Sequence, residues 1–554
     1  MGADGETGDG ARGTGGARDT GGELAVGPVP FRSRTGRWIL LATVLGSAMG
    51  FLDATVVNVA LPAIGRDVGA DVRDLQWVLD GYLLTLAALI LLGGSLADRY
   101  GRRRIFSLGV VCFVVPSVLC ALAPNPPVLI VARALQGVGA ALLTPGSLAI
   151  IQSGYRSSDR PRAIGAWSAL TGVASALGPL IGGYLIDALS WRWIFLINVP
   201  IGAVVLITAA LHVPETRDPS APARLDVRGA ALATAGLAGL TYALIEGPRG
   251  AGAGGSPWPP VAALVLGAAA LAGFVRTELR SPSPMLPPRV FAAPQFLSAN
   301  AVTFTVYAAL GGVFFLLVVF LQTSLGYSPL AAGAASLPVT ALMLLLSPRA
   351  GALAQRVGPR LPLTVGPLLL AAGMALMARI DVGARYPTGV LPAIVVFGLG
   401  LATTVAPVTA TALAAAPAEH SGLASGTNNA ISRIAQLTAV AALPALAGIA
   451  GGDFRSAGRL AAGFHTAMLI TAGLAVAGGL LAFATIRRDV FAPAPKEAAP
   501  APESEPAEAP RKPPAEPAHQ LYNCPVAGTP LCTDDAQSRP RGGTPDSARD
   551  DARE

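Results

Sequence analysis

Apolar stretches of about 18 residues or more recur from residue 37 to residue 486, about fourteen times in all. Nothing else constrains the fold as strongly. In hydrocarbon every backbone polar group must be satisfied within its own segment, so each stretch reads as a helix. The spans fall near 37–60, 74–97, 104–123, 127–152, 161–187, 192–212, 226–246, 259–279, 294–323, 329–353, 360–380, 388–415, 421–450 and 464–486. The expected fold is an all-α polytopic membrane protein. Only 13% of residues are charged, about half the share of a soluble domain.

Orientation follows from arginine. With the N-terminus inside, 21 arginines flank the spans on the inner side and 8 on the outer side, the direction of the positive-inside rule. Both termini are then expected on the cytoplasmic side of a bacterial cytoplasmic membrane. The net charge of +7 is spread over loops at one face, whereas a nucleic-acid site gathers charge on one soluble domain. No nucleic-acid partner is expected. Residues 1–30 hold no apolar central run, so no cleavable signal is read there. Residues 1–36 and the Pro/Ala/Glu-rich stretch 488–554 cannot bury a core and are expected to be disordered.

Four cysteines and four histidines do not cluster, and Cys524 and Cys532 lack a zinc spacing. No metal and no cofactor is expected. No His, Cys or Ser constellation sits at a depth suited to an enzyme.

The chain repeats itself. Gly94-Ser-Leu-Ala-Asp98-Arg99-Tyr-Gly101-Arg102-Arg103-Arg104 is echoed by Gly351-Ala-Leu-Ala-Gln355-Arg356-Val-Gly358-Pro359-Arg360, 257 positions later. The same offset carries residue 37 onto 294. Two six-helix bundles, 37–212 and 294–487, with two extra helices in 213–293, is the simplest account.

The first of these loops resembles the loop between helices 2 and 3 of major facilitator superfamily transporters. Four further strings match in order. Leu52-Asp53-Ala-Thr55-Val-Val-Asn58-Val-Ala-Leu61-Pro62 is similar to the helix 1 signature of the fourteen-helix drug:proton antiporters. Leu129-Ile-Val-Ala-Arg133-Ala-Leu-Gln136-Gly137 is similar to the superfamily's arginine-bearing helix 4 motif. Gly172-Val-Ala-Ser-Ala-Leu-Gly178-Pro179-Leu-Ile-Gly182-Gly183 looks like the antiporter motif, and Trp191-Arg192-Trp193 through Asn198-Val-Pro200 like the start of helix 6. The resemblance implies a proton-coupled exporter of amphipathic, often cationic, drugs or natural products. It would work as a monomer by alternating access on the proton motive force. An importer or uniporter on the same fold, or a non-transporting membrane sensor, is the alternative.

Asp53, Asp80 and Arg133 should lie roughly 10 Å below the outer surface at 1.5 Å per residue. Intramembrane charges are costly and mark pathways or relays. One arginine offsets one carboxylate, and the other is expected to keep its proton. Asp80 is taken as the exchangeable acid and Asp53 as the partner of Arg133. The reverse assignment stays open, as does a static buried pair.

The resemblance makes Gly94, Asp98, Arg99, Gly101, Arg102 and Arg103 a conformational latch, against a plain topological anchor for the arginines. It makes Gly172, Gly178, Pro179, Gly182 and Gly183 a pivot or a seal against proton leak, against ordinary small-residue packing. Gln136, Gln322, Asn428 and Arg433 are taken as lining the substrate cavity. Arg433 would meet either an anionic group or backbone carbonyls. Glu246 reads as interfacial.

Overall fold

In the computed structural model of the protein the described residues are 28–219, 225–250, 256–281, 284–286, 291–416, 421–449 and 456–491. Most of the 1–36 and 488–554 stretches, with Cys524 and Cys532, lies outside them.

Fourteen helical spans cross this frame. The first six are α1 (Arg34–Asp67), α2 (Val72–Tyr100), α3 (Arg102–Leu122), α4 (Pro126–Gly154), α5 (Arg160–Ala188) and α6 (Trp193–His212). Next come α7 (Val227–Gly250) and α8 (Trp258–Arg280). The last six are α9 (Pro294–Thr323), α10 (Pro329–Val357), α11 (Arg360–Met377), α12 (Tyr386–Ala414), α13 (Ser421–Leu446) and α14 (Ala457–Thr485). Thirteen are long and apolar enough to cross a membrane by composition among the described residues. The other is α13, whose Asn428, Asn429, Ser432, Arg433 and Gln436 dilute its apolar character.

The repeat is visible in the backbone. Gly101 and Gly358 occupy equivalent positions and have φ of 116° and 85°, a region closed to most side chains. A methyl group on Gly101 would also lie 2.6 Å from Glu215 Oε1. Gly101 alone, and Gly358 with Pro359, turn the chain from one helix into the next.

Two expectations change. Helix α1 runs on to Asp67, about two turns past residue 60, because Pro62 is accommodated inside it. Residues 28–33 are not free of the fold. Val29 N donates to Gly154 O (2.8 Å), Phe31 N to Asp159 Oδ2 (3.0 Å), and Arg162 covers the Phe31 ring at 4.9 Å. Val29 and Phe31 are apolar enough to dock on the α4–α5 loop.

The two bundles meet at the face opposite the arginine-rich loops. Gln322 Nε2 of α9 donates to Val59 O of α1 at 2.8 Å. Gln76 Nε2 of α2 donates to Val440 O and Ala441 O of α13 at 2.8 and 3.0 Å. Leu330 N of α10 donates to Asp187 Oδ2 at 3.0 Å. Thr340 Oγ1 of α10 also donates to Ala176 O of α5 at 3.5 Å, and nearer the arginine-rich face Gly426 of α13 packs on Leu91 of α2.

Candidate functional site: buried charges and the closed face

Arginine at position 133 has no water to solvate it, being 1% exposed. Its neighbours replace that water. Nη1 donates to Asp53 Oδ2 and to Gln136 Oε1, both at 2.6 Å, and Nε donates to Val78 O at 3.1 Å. The guanidinium lies over the Tyr82 ring at 4.4 Å and the Phe195 ring at 5.9 Å, a cation–π arrangement. Three helices, α1, α2 and α4, are thus tied to one cation.

A string of hydrogen bonds extends the pair. Gln136 Nε2 donates to Asp53 Oδ1 (2.9 Å) and to Ser117 Oγ (2.8 Å), and Asn198 Nδ2 donates to Ser117 Oγ (3.2 Å). Ser117 is new to the site, and Asn198, named in the sequence only within the helix 6 string, joins it here. The one signal was their position as polar residues inside apolar runs.

Asp80 does not join this cluster. Both its carboxyl oxygens are buried with no hydrogen-bond partner. The reason is helical phase. Helix α2 turns Gly81 and Thr85 toward α4, where Thr85 Oγ1 donates to Ala134 O at 2.8 Å. Gln76 and Asp80, one turn apart on another face, look toward α13. The expectation of three ionisable groups at one locus is corrected to a pair and a separate acid. Their depths agree: Arg133, the partner of Asp53, is held by Val78 O and lies over the Tyr82 ring, on either side of Asp80 in α2, so facing and not depth separates the two acids.

The loop after α2 is held by its own acid and by the segment that follows α6. Arg102 Nε and Nη2 donate to Asp98 Oδ1 at 2.9 and 2.8 Å. Glu215, unforeseen in the sequence, caps α3: Arg103 N and Arg104 N donate to its two carboxylate oxygens at 3.0 and 3.2 Å. Arg103 Nη1 reaches Val213 O at 3.1 Å. The Arg99 guanidinium lies 5.3 Å from the Tyr100 ring, and Gly94 faces Pro145.

The α5 glycines serve two partners. A methyl group on Gly182 would lie 2.6 Å from Val56 Cγ1, and Gly178 packs on Thr55, both of α1. A methyl group on Gly183 would lie 2.6 Å from Leu330 Cα of the other bundle, and Gly333 packs on Pro179 O. Gly172 touches nothing and stands exposed, so it takes no part in this contact.

Three of the four cavity candidates are committed elsewhere. Gln136 belongs to the Arg133 network, and Gln322 is a strut between bundles. Asn428 Nδ2 donates to Asn300 Oδ1 (3.1 Å) and Thr303 Oγ1 (2.9 Å) of α9. Side-chain amides in apolar helices bond the nearest polar group, which sequence spacing does not reveal. Arg433 differs. Its contact is Gln436 Oε1 at 3.4 Å, and its Nε is buried without a partner. An apolar cleft of about 450 Å3 between α2 and α7, lined by Leu89, Leu92, Val227 and Thr234, reaches none of these charges.

Residues 43–440 match the family model of the Major Facilitator Superfamily. The chain belongs to that superfamily. It is a transporter and not an enzyme. It is 38% identical over 398 residues to the multidrug resistance protein Stp of Mycobacterium tuberculosis, covering 71% of this chain and 72% of that one. It is 38% identical to the puromycin resistance protein pur8 of Streptomyces alboniger, over 73% and 80% of the two chains. The probable actinorhodin transporter of Streptomyces coelicolor matches at 35% identity over 76% and 74%. Among solved structures, an inward-facing, unoccupied bacterial homolog of the human lysosomal transporter Spinster superposes with a TM-score of 0.59 at 19% identity. That match covers 83% of this chain and 98% of that one.

Proposed function

We propose that the protein is a proton-coupled exporter of amphipathic drugs or natural products across a bacterial cytoplasmic membrane. The arginine-rich face is then the cytoplasmic one, with both termini inside, and the substrate enters from that face. The carrying observation is Asp80: a membrane-embedded acid with no exposure and no partner is costly when charged. A group of that kind exchanges protons when the bundles rock and its surroundings change.

The relatives supply the direction. Proteins named for multidrug resistance, puromycin resistance and a probable actinorhodin transporter favour export over import. The α5 contact supports alternating access, because glycines at 182 and 183 let one helix pack on both α1 and α10. Rocking must break the Gly183–Leu330 and Gln322–Val59 contacts together. The resemblance implies an often cationic substrate, which buried acids in a cavity would suit. Asp53 is spent on Arg133 and Asp80 faces α13, so the charge class of the substrate does not follow from them.

Expression in a host lacking its main efflux pumps tests this. Wild type should raise resistance to puromycin and lower ethidium accumulation, and Asp80→Asn should do neither. Accumulation of the dye by wild type would point to import. Full resistance from both Asp80→Asn and Asp53→Asn would sink the coupling.

A further inference from the structure

The inserted helices have no counterpart in the repeat, yet α7 packs on α2 of one bundle and α13 of the other. Its polar and aromatic contacts with α2 lie at the outer end. Trp77 Nε1 donates to Glu246 Oε1 at 3.4 Å, Arg73 Nη1 lies 3.8 Å from Glu246 Oε2, and the Trp77 and Tyr242 rings are 6.3 Å apart. The Glu246 side chain is 19% exposed. Asp80 is 0% exposed.

Phase relates the two acids. Asp80 follows Trp77 by three residues and Gln76 by four, so all three share a face. One turn above Asp80, Trp77 meets Glu246 of α7 and Gln76 meets α13. Asp80 therefore sits in the wedge between α2, α7 and α13, about 5 Å along the helix below the Glu246 contact. Other polar groups among the described residues stand around this wedge. Helix α2 brings Arg73, itself 2.8 Å from Asp71 Oδ2, and α7 brings Tyr242. Helix α13 brings the Val440 and Ala441 carbonyls and, nearer the inner face, Arg433.

We propose that Glu246 is the proton-relay residue through which protons from the outer aqueous phase reach Asp80, and that α7 supplies this port. The proposal rests on the proton-coupled reading above. A proton from outside binds the Glu246 carboxylate and weakens its attraction to Arg73, which keeps Asp71. Glu246 then gives that proton to a bridging water as the water gives one of its own to the Asp80 carboxylate. Glu246 returns to its ionised form, and one proton has moved. Trp77 and Tyr242 stand as a shutter. The Gln76 bonds to α13 must break when the bundles part at the outer face, which loosens the wedge and lets water in.

Infrared spectroscopy of the purified full-length protein in lipid nanodiscs, after a jump into D2O, tests this without any substrate. Wild type should show a protonated-carboxyl band that Asp80→Asn removes. In Glu246→Gln the same band should persist and its hydrogen–deuterium shift should slow by about tenfold or more, with Glu246→Asp restoring the rate. A persisting Asp80 band shows that the wedge is intact, so slowing then reports the relay and not misfolding. Trp77→Ala should speed the shift, and adding Glu246→Gln should remove that gain. An unchanged rate in Glu246→Gln overturns the relay alone. A band untouched by Asp80→Asn overturns the protonated Asp80, and the relay with it.

Discussion

Arg133 and Asp53, 80 residues apart in sequence, meet at 2.6 Å with side chains 1% and 0% exposed. Neither can be solvated by water, so each is the condition for burying the other. Removing one partner of such a pair costs about 3–5 kcal/mol, because the charge left behind has nothing to replace it. Asp53→Asn and Arg133→Gln should each lower the thermal unfolding midpoint in detergent and abolish efflux. The double variant should recover much of the midpoint and none of the efflux. A midpoint unchanged in both single variants would contradict the pairing.

Gly183 faces Leu330 across the closed seam, where a methyl group would sit 2.6 Å from Leu330 Cα. A larger side chain there opposes closure of the outer face. Gly183→Leu should leave expression intact and shift the carrier toward outward-open states. Cysteines placed on the outer thirds of α5 and α10 should then label faster with a membrane-impermeant maleimide. Gly172, which touches nothing, should accept Ala without effect on labelling or efflux.

Glu215 caps the two free amides at the start of α3. Loss of a capping acceptor costs about 1 kcal/mol, and a negative charge at a helix N-terminus adds a further favourable contribution. Glu215→Ala should lower the unfolding midpoint modestly and raise trypsin cleavage at Arg102–Arg104 in inside-out vesicles. Cleavage equal to wild type would show that the cap does not hold the loop.

The spans, the repeat and the Asp53–Arg133 pair were legible in the sequence for one physical reason. Hydrocarbon punishes exposed polar groups, so apolar length and misplaced charge both carry information. Gly101 and Gly358 were legible because a positive φ requires glycine. What the sequence hid depends on helical phase and on neighbours far along the chain. Asp80 shares a helix with the Val78 carbonyl that holds Arg133, yet it faces α13. Gln322 reads as a cavity residue until the Val59 carbonyl appears beside it. Glu215 lies in a loop of no pattern, and its role exists only because α3 begins beneath it. The extra length of α1 was missed because Pro62 reads as a stop.

Arg433 carries a guanidinium with a buried, unpartnered Nε and no carboxylate within ion-pair distance among the described residues. It holds little of the fold together. Arg433→Gln should not lower the unfolding midpoint, because a buried Nε without a partner contributes no stabilising bond. It should change the relative resistance to acidic and basic drugs. Equal losses across all drugs would place Arg433 in the transport cycle instead of the cavity.

Proton coupling is tested most directly by ethidium transport in inside-out vesicles with an imposed pH gradient, acid inside. The account predicts uptake that depends on the gradient, stops when nigericin collapses it, and is absent in Asp80→Asn vesicles. Uptake that survives nigericin, or that Asp80→Asn leaves at the wild-type rate, would contradict it.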